Sequence, residues 1–406
     1  MGARIVFLGD DFTGASDSLA TYARGGLATR LVTGDAAPEN GLDVLGIATD
    51  LRSLQPSRAE QVVEALWPMI SREAPDVLHL KTCSTFDSAP QVGSIGAVAR
   101  QLIALFKPDV TAVIGGQPSL GRYCAFGTLF ARGPDGAVHR IDRHPVMSHH
   151  PVTPMQEADL GRHLEAQGLA PLTRITLPGL HDTDQVAQIL RAGPALIDVM
   201  SADDLPRIGE ALAQAGGRQL LIGASSIAEI LATGMEPATI SAPAPPPGGL
   251  LTFAGSRSSV TAAQVATARA YQRVELTPAM LDDPQTPARL AESMSADRPL
   301  LLHLDPEADY RHGPDALADI CAGVVARIAA LSPLRALGLA GGDTSSRIVA
   351  RLGFTALDYL ADMGQGACIC SGRHADPGRN GMRVMLKGGQ MGAADLFDSF
   401  ADASTR

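Results

Sequence analysis

Cysteine is scarce in this chain of 406 residues. The five that occur, Cys83, Cys124, Cys321, Cys368 and Cys370, are odd in number and lack framework spacing. That excludes a disulfide-stapled scaffold and leads us to expect reduced thiols in a cytoplasm. Positive charge is also in short supply. The formal net charge of -10 argues against non-specific nucleic-acid binding, although local basic groups still suit small anionic substrates. No apolar run is long enough to span a membrane, and the first, residues 4–8, is too short for a signal sequence and runs straight into Asp10 and Asp11. There is no Gly-Lys-Ser/Thr, hence no Walker A loop. The absence of a strict Gly-x-Gly-x-x-Gly weakens a dinucleotide reading, and that of Gly-x-Ser-x-Gly removes support for a serine hydrolase of that type. Cys368-x-Cys370 with His374 lacks both the Cys-x-x-Cys spacing and a fourth ligand, so a strand with small buried thiols is expected there and no metal site. Asp198, His181 and His303 have no supporting pattern and read as ordinary residues.

What remains is a well-packed chain, 45% hydrophobic and 19% charged, and long enough for two domains. Strands alternate with helices. Residues 4–8 precede a helix on which Ala15, Leu19, Tyr22 and Ala23 recur at helical spacing, and residues 43–48 form a second strand. Ser57-Arg58-Ala59-Glu60 reads as a capping box opening a helix through Trp67 and Ile70. A strand at 76–80 ends at Lys81, a helix spans 91–106, and a strand follows at 110–114. Further pairs are 196–200 before 203–215 and 219–222 before 225–232. Such alternation means parallel strands with right-handed crossovers. Residues 115–154 are less regular, and a hairpin and an active-site loop are expected there. The run from Ser241 to Gly249 holds four prolines and marks the clearest boundary. Beyond it the alternation restarts at 250–254, 300–304 and 336–340, each followed by a helix. The expected fold is α/β, with two domains. Each is a mainly parallel sheet flanked by helices, with the active site in the cleft between them. Residues 1–240 form the substrate domain, 241–249 the linker and 250–406 the nucleotide domain.

The chain is organised around Gly9-Asp10-Asp11-Phe12-Thr13-Gly14-Ala15, at the carboxyl end of the first strand, where open α/β sheets bind ligands. Two adjacent acids repel each other and lose solvent there. A polyhydroxylated ligand, a cation or a proton to be taken would offset that cost. A helix N-cap needs one Asp, not two followed by Thr-Gly. Lys81-Thr82-Cys83-Ser84-Thr85 also follows a strand, and its lysine and hydroxyls suit a carboxylate or the oxygens of a sugar acid, or else form a solvated strand end. Arg122 is a candidate anion clamp. Residues 143–154 hold His144, His149 and His150, but Pro145 and Pro151 impose an extended path without acid or Cys ligands, so a substrate or domain-interface loop is expected. Beyond the linker, three glycine-hydroxyl loops (254–259, 340–346 and 386–392) offer backbone N–H groups, at least two with a helix N-terminus behind them. That arrangement suits phosphate, and three in one domain favour a nucleotide.

Taken together, these segments resemble the four-carbon acid sugar kinase family. The matching stretches are Asp10 to Ala15, Gly121-Arg122, His144 to Pro154, Gly223 to Ala228, Gly255 to Ser258, Gly341 to Ser345 and Lys387-Gly388-Gly389, in the family's order. The resemblance implies an ATP-dependent kinase acting on a terminal hydroxyl of a short sugar acid, with an N-terminal substrate domain and a C-terminal nucleotide domain. By motif, Asp10, Asp11, Thr13 and Gly14 would face the substrate, while Ser256, Ser258, Gly341, Gly342, Asp343, Thr344, Gly388 and Gly389 would hold ATP. One motif departs. The family usually reads Lys-x-Asp-Ser-Thr-Leu-Arg-Gly-Asn after the third strand; here Cys83 replaces the Asp and Asp87 the Arg, while Lys81, Ser84 and Thr85 remain. Losing an arginine fork should alter how a carboxylate is held, which opens threonate, erythronate and 3-oxo-tetronate to question and admits a branched acid such as 3-oxo-isoapionate. In this reading Asp11 accepts the hydroxyl proton, Asp10 positions the sugar, and Lys81 and Arg122 meet the acid end. Asp343 contacts Mg²⁺ through water or else the ribose. The competing readings are an NAD-dependent sugar-acid dehydrogenase and a non-catalytic sugar-acid binding protein. Expected partners are the small substrate and ATP, not nucleic acid or membrane, with a homodimer as the base-rate oligomer.

Overall fold

The structure is a computed structural model that describes residues 2–33, 41–150, 152–234, 242–294, 298–364 and 366–404, apart from the Asp343 side chain. From the amino terminus the elements are β1 (Ile5–Gly9), α1 (Phe12–Arg24), β2 (Thr29–Val32), β3 (Val44–Ala48), α2 (Pro56–Glu73), β4 (Val77–Lys81), α3 (Ile95–Phe106) and β5 (Val110–Gly115). There follow β6 (Arg122–Ala125), β7 (Thr128–Arg132), β8 (Val138–Arg140), α4 (Leu160–Glu165), β9 (Thr173–Ile175), α5 (Thr183–Ala192), β10 (Ala195–Asp198), α6 (Asp204–Ala215), β11 (Gln219–Gly223) and α7 (Ser226–Leu231). Past the proline run come β12 (Gly249–Ala254), α8 (Ser259–Thr267), β13 (Gln272–Glu275), α9 (Pro278–Asp282), α10 (Thr286–Ser293), β14 (Leu300–His303) and α11 (Pro314–Leu331). The chain closes with β15 (Leu334–Ala340), α12 (Gly342–Leu352), β16 (Ala356–Asp362), β17 (Ala367–Arg373), β18 (Arg383–Lys387) and α13 (Leu396–Ser404).

The chain divides into two compact units, Met1–Thr29 with Ala37–Ala238, and Arg30–Ala36 with Thr239–Arg406. In the first, the strand order β3-β1-β4-β11-β5-β10-β9 is parallel throughout. Its central strands are buried over their whole length, as continuous apolar runs covered on both faces must be. The carboxyl ends of β3, β1, β4 and β11 therefore stand side by side, which places the loops after Ala48, Gly9, Lys81 and Gly223 next to one another. The irregular stretch after β5 does contain a hairpin: β6, β7 and β8 form a small antiparallel sheet. Phe126 and Gly127 turn it with φ of 52° and 76°, and their amides donate to the buried Asp198 carboxylate at 2.5 and 2.8 Å. Asp198 thus anchors a tight turn.

In the second unit β13-β14-β12-β15-β18 are parallel, and β17, β16 and β2 extend the sheet antiparallel. The expected boundaries, 1–240 and 250–406, differ from this division at two places: Arg30–Ala36 goes with the second unit because β2 pairs with β16, and the division falls between Ala238 and Thr239, so the expected linker goes with the second unit. Arg30 there donates to Asp358 at 2.6 Å, both side chains being buried, and Arg373 donates to the same carboxylate at 2.6 Å. Ser241, the first linker residue, lies outside the described residues, as does Pro151 of the histidine-rich segment. Cys368 and Cys370 lie on β17 with buried thiols.

Two local expectations change. The capping box at Ser57 is absent, because α2 begins at Pro56 with Gln55 as its N-cap and no side-chain cap bond. Proline at the first helical position supplies the preset φ, which puts Ser57 inside the first turn. The helix expected from residue 91 starts at Ile95, where the Ser94 hydroxyl accepts from Ala97 N.

Candidate active site

The first cluster grows from the end of β1. Asp11 is the N-cap of α1, and its Oδ1 accepts from Gly14 N at 2.8 Å. The Asp10 amide donates to Lys81 O at 3.0 Å, which ties the ends of β1 and β4 together. The acid pair is neutralised by a residue that sequence reasoning missed. Arg52, on the short turn after β3, reaches Asp10 Oδ1 at 2.9 Å and Asp11 Oδ1 at 3.1 Å through Nη2, while its amide donates to Asp10 O at 2.9 Å. Burial alone would draw the Arg52 guanidinium down. Asp10, Asp11, Cys83 and Asp87 outweigh it and hold the group far above its ordinary value. Burial and the Asp11 charge push the Asp10 carboxyl up, against the pull of Arg52 and Lys81, and the net direction is up. The only sequence signal for Arg52 was its position after a strand.

Lys81 ends β4 and is buried, and its Nζ donates to Thr82 O at 2.9 Å. A Cβ on Gly14 would fall 2.7 Å from that Nζ and 2.5 Å from Asp11 Oδ1, so the ammonium and the carboxylate both close on the bare Gly14 Cα. Asp10, Asp11, Gly14 and Lys81 are thereby brought together. Thr13 opens the first turn of α1 beside them. Thr85 donates to Asp87 Oδ1 at 2.5 Å, so its hydroxyl hydrogen is committed within its own loop. Burial pushes the Asp87 carboxyl up, but the Arg52 charge and the Thr85 hydroxyl outweigh it and the net direction is down. The acid in the departing loop thus faces the same arginine as Asp10 and Asp11. Ser84 is buried in that loop. Arg122 is not joined to this group by any bond or ion pair among the described residues. It lies on β6, where Nη1 donates to Leu120 O and the buried Nε has no partner.

The second cluster stands at the carboxyl ends of β12, β15 and β18, which are neighbours in the sheet. The three glycine loops converge on Ser256. A Cβ on Gly341 would fall 3.1 Å from Ser256 N, and one on Gly389 would fall 2.5 Å from Ser256 Oγ. Gly341 also has φ of 119°, a conformation that L side chains rarely adopt. The free amides expected here are fewer than the loops suggested. Gly255 N and Ser256 N both donate to Ala340 O at 3.0 Å, and Gly341 N donates to Lys387 O at 3.1 Å. These bonds stitch adjacent strand ends. The amides of Gly342 and Thr344 in the first turn of α12, and of Gly388 and Gly389, have no backbone acceptor among the described residues. Ser258 caps α8 and also donates to Gly389 O at 2.5 Å, and Thr261 donates to the same carbonyl at 2.9 Å. Lys387 lies beneath them. Its Nζ is 2.9 Å from Thr261 Oγ1 and 2.5 Å from Gln264 Oε1, and burial pushes it down to about 8. The Asp343 side chain lies outside the described residues.

Comparison with known proteins adds to this geometry. The model for a sugar-binding N-terminal domain matches residues 5–231, and the model for a nucleotide-binding C-terminal domain matches residues 251–397. A 3-oxo-isoapionate kinase of Paraburkholderia graminis is 32% identical, covering 98% of this chain and 93% of its own. A 3-oxo-tetronate kinase of Methylobacterium radiotolerans is 34% identical, covering 97% of each chain. A crystal structure from Salmonella typhimurium LT2 superposes with a TM-score of 0.82 at 24% identity, covering 97% of this chain and 98% of that one, a likeness that speaks to the fold alone.

Proposed function

Because the chain belongs to the family that joins a sugar-binding N-terminal to a nucleotide-binding C-terminal domain, the four-carbon acid sugar kinases, and is a sugar-acid kinase, we propose that it transfers the γ-phosphoryl group of MgATP to a terminal hydroxyl of a small sugar acid. The acceptors in this reading are 3-oxo-tetronate and the branched 3-oxo-isoapionate, the acids for which the two relatives are named. The dehydrogenase and binding-protein alternatives are not favoured by those relatives. The expected compartment is the cytoplasm, on the strength of the few, unpatterned cysteines, and the expected oligomer is a homodimer on base rate alone.

The observation that carries the reading is the Arg52-neutralised pair of Asp10 and Asp11 at the start of α1, with Lys81 beside it. Phosphoryl transfer asks mainly for positioning and charge neutralisation. The Asp11 side chain is 23% exposed and within reach of a ligand, whereas Asp10 is buried against Arg52. Asp11 accepts the proton of the attacking hydroxyl as its oxygen bonds to the γ-phosphorus, and ADP leaves with the electrons of the broken P–O bond. Asp10, held by Arg52, orients the sugar hydroxyls, and Lys81 faces the carboxylate. The amides of Gly342, Thr344, Gly388 and Gly389 receive the phosphates. The metal ion arrives with the nucleotide as part of the substrate.

ADP release from MgATP with each of the two acids tests the reaction. Silence with both, while ATP still binds, rejects the substrate class. Asp11→Asn tests the base. Asparagine is as good an N-cap as aspartate, so α1 keeps its start, and kcat is expected to fall by about 10²–10⁴. Full turnover in that variant would remove Asp11 from the role.

A further inference from the structure

The histidine-rich segment holds His144, His149 and His150, and the structure gives each a different task. His144 is buried, and both of its ring nitrogens hold the segment in place. Nδ1 accepts from Val146 N at 3.1 Å and from Met147 N at 3.2 Å, and Nε2 donates to Arg132 O at 3.3 Å. His149 is exposed, with Nδ1 2.8 Å from the hydroxyl of its neighbour Ser148. His150 is half-buried and is joined through Thr153 to Asp87. We propose that His150 is a substrate-binding residue of the sugar-acid site, its Nε2–H donating to the oxo oxygen of the acid. This inference rests on the kinase reading above and deepens it, by naming the group that reads the oxo function common to 3-oxo-tetronate and 3-oxo-isoapionate.

Thr153 N donates to His150 Nδ1 at 3.0 Å. A backbone amide can only donate, so Nδ1 is an acceptor and the hydrogen of the neutral ring sits on Nε2. That nitrogen has no hydrogen-bond partner among the described residues. Thr153 is buried, and its Oγ1 stands 3.0 Å from His150 Nδ1 and 3.4 Å from Asp87 Oδ2. Asp87 is held in turn by Thr85, whose oxygen lies 2.9 Å from Cys83 Sγ. One side of the ring is therefore fixed to the loop that carries Ser84 and Asp87, and the other side is free. That loop is itself over-determined. Phe86 is fully buried with φ of 53°, a strained conformation for a bulky residue. Ser88 Oγ keeps it there, donating to Phe86 O at 2.9 Å and accepting from Gln167 Nε2 at 2.8 Å. Strain of this kind clusters at ligand sites.

The cluster is rich in acceptors. Asp10, Asp11 and Asp87 all belong to it, Arg52 is committed to the first two, and Lys81 is assigned above to the carboxylate of the substrate. A substrate hydroxyl suits such surroundings, because it can donate to a carboxylate. An oxo oxygen only accepts and is repelled by those carboxylates, so it needs a fixed N–H. The hydroxyls of Thr13 and Ser84 serve either role and do not choose between the two. An imidazole N–H whose ring partner Nδ1 is already taken only donates, and His150 is the histidine that the loop around Asp87 holds in place.

The test is calorimetric titration of the full chain with 3-oxo-tetronate and with erythronate, which carries a hydroxyl in place of the oxo group. His150→Asn keeps an oxygen to accept from Thr153 N and has nothing at the Nε2 position. It is expected to weaken 3-oxo-tetronate at least about tenfold and erythronate by clearly less, with the melting temperature and ADP binding unchanged. His150→Gln, whose amide N–H reaches the Nε2 position, is expected to recover most of the loss. Equal weakening of both acids, or an equal loss in the two variants, marks a structural role and overturns the proposal. Where the wild type binds 3-oxo-tetronate but not erythronate, the glutamine rescue decides. A wild type that releases ADP with 3-oxo-tetronate, while His150→Asn binds that acid normally, overturns the assignment and leaves the kinase reading standing. A wild type that binds neither acid overturns both.

Discussion

Arg52 Nη2 lies 2.9 Å from Asp10 Oδ1, and the same nitrogen is 3.1 Å from Asp11 Oδ1. One guanidinium makes an adjacent acid pair tolerable at a buried strand end. Arg52→Gln should leave Asp10 buried without its counter-charge. Because the arginine is 24% exposed, a loss of about 2–3 kcal/mol is expected, below the about 3–5 kcal/mol that breaking a fully buried pair costs. kcat/KM for the sugar acid should fall at least about 100-fold, since Asp10 then prefers its protonated form. Urea unfolding and steady-state kinetics would check the two effects, and wild-type kinetics would show that the pair needs no partner.

Gly14 separates structure from function. Alanine in a helix is favoured over glycine by about 1 kcal/mol. Its Cβ would nevertheless stand 2.5 Å from Asp11 Oδ1 and 2.7 Å from Lys81 Nζ. Gly14→Ala should melt within a few degrees of wild type while kcat/KM for the acid falls at least about tenfold and KM for ATP stays put. A loss confined to KM for ATP would contradict the placement of this glycine.

Lys387 predicts a pH dependence. Burial pushes its ammonium down to about 8, whereas in the unfolded chain a lysine titrates near 10.4. Between those values the unfolded state holds more protons, so stability rises with pH, and the gain is lost as pH falls through 8. The full difference is of the order of 3 kcal/mol. The melting temperature of Lys387→Met relative to wild type should therefore be more favourable at pH 7 than at pH 9.5. The same variant frees the Thr261 and Gln264 partners under the Gly389 loop, so its KM for ATP should rise. A melting difference that does not change with pH would mean that the lysine is not desolvated.

Arg30→Ala would leave Asp358, a fully buried carboxylate, with one partner fewer. Removing one member of such a group costs about 3–5 kcal/mol. A clear fall in the melting temperature is expected, with kcat per folded molecule unchanged, because neither residue belongs to the site described above. An unchanged melting temperature would show that Arg373 suffices.

Much of the local structure was legible in advance. The run at 4–8, the acid loop and the apolar spacing of Ala15, Leu19 and Tyr22 gave β1 and α1, because a buried strand and an amphipathic helix each leave their period in the residues that form them. The glycine loops were found at strand ends for the same reason. The capping box at Ser57 misled, since Pro56 offers a competing start one residue earlier. The count of free amides misled too. Whether Ser256 N is available depends on Ala340, which belongs to a different strand.

The alternation of strands and helices, the position of each loop at a strand's carboxyl end and the motifs that mark the family can all be read from the residues alone. These are short-range properties, written in periods of two and 3.6 residues and in the few residue types that permit tight turns. The folded chain alone settles which loops become neighbours. It set Arg52 against Asp10 across 42 residues, Ser258 against Gly389 across 131, and Arg30 against Asp358 across 328. It also moved β2 into the second unit's sheet. The reason is that strand order and crossover path select the partners of a buried charge or an orphan amide, and neither leaves a local pattern. The need for a partner at Asp10 and Asp11 could be read from two adjacent acids; the identity of that partner could not.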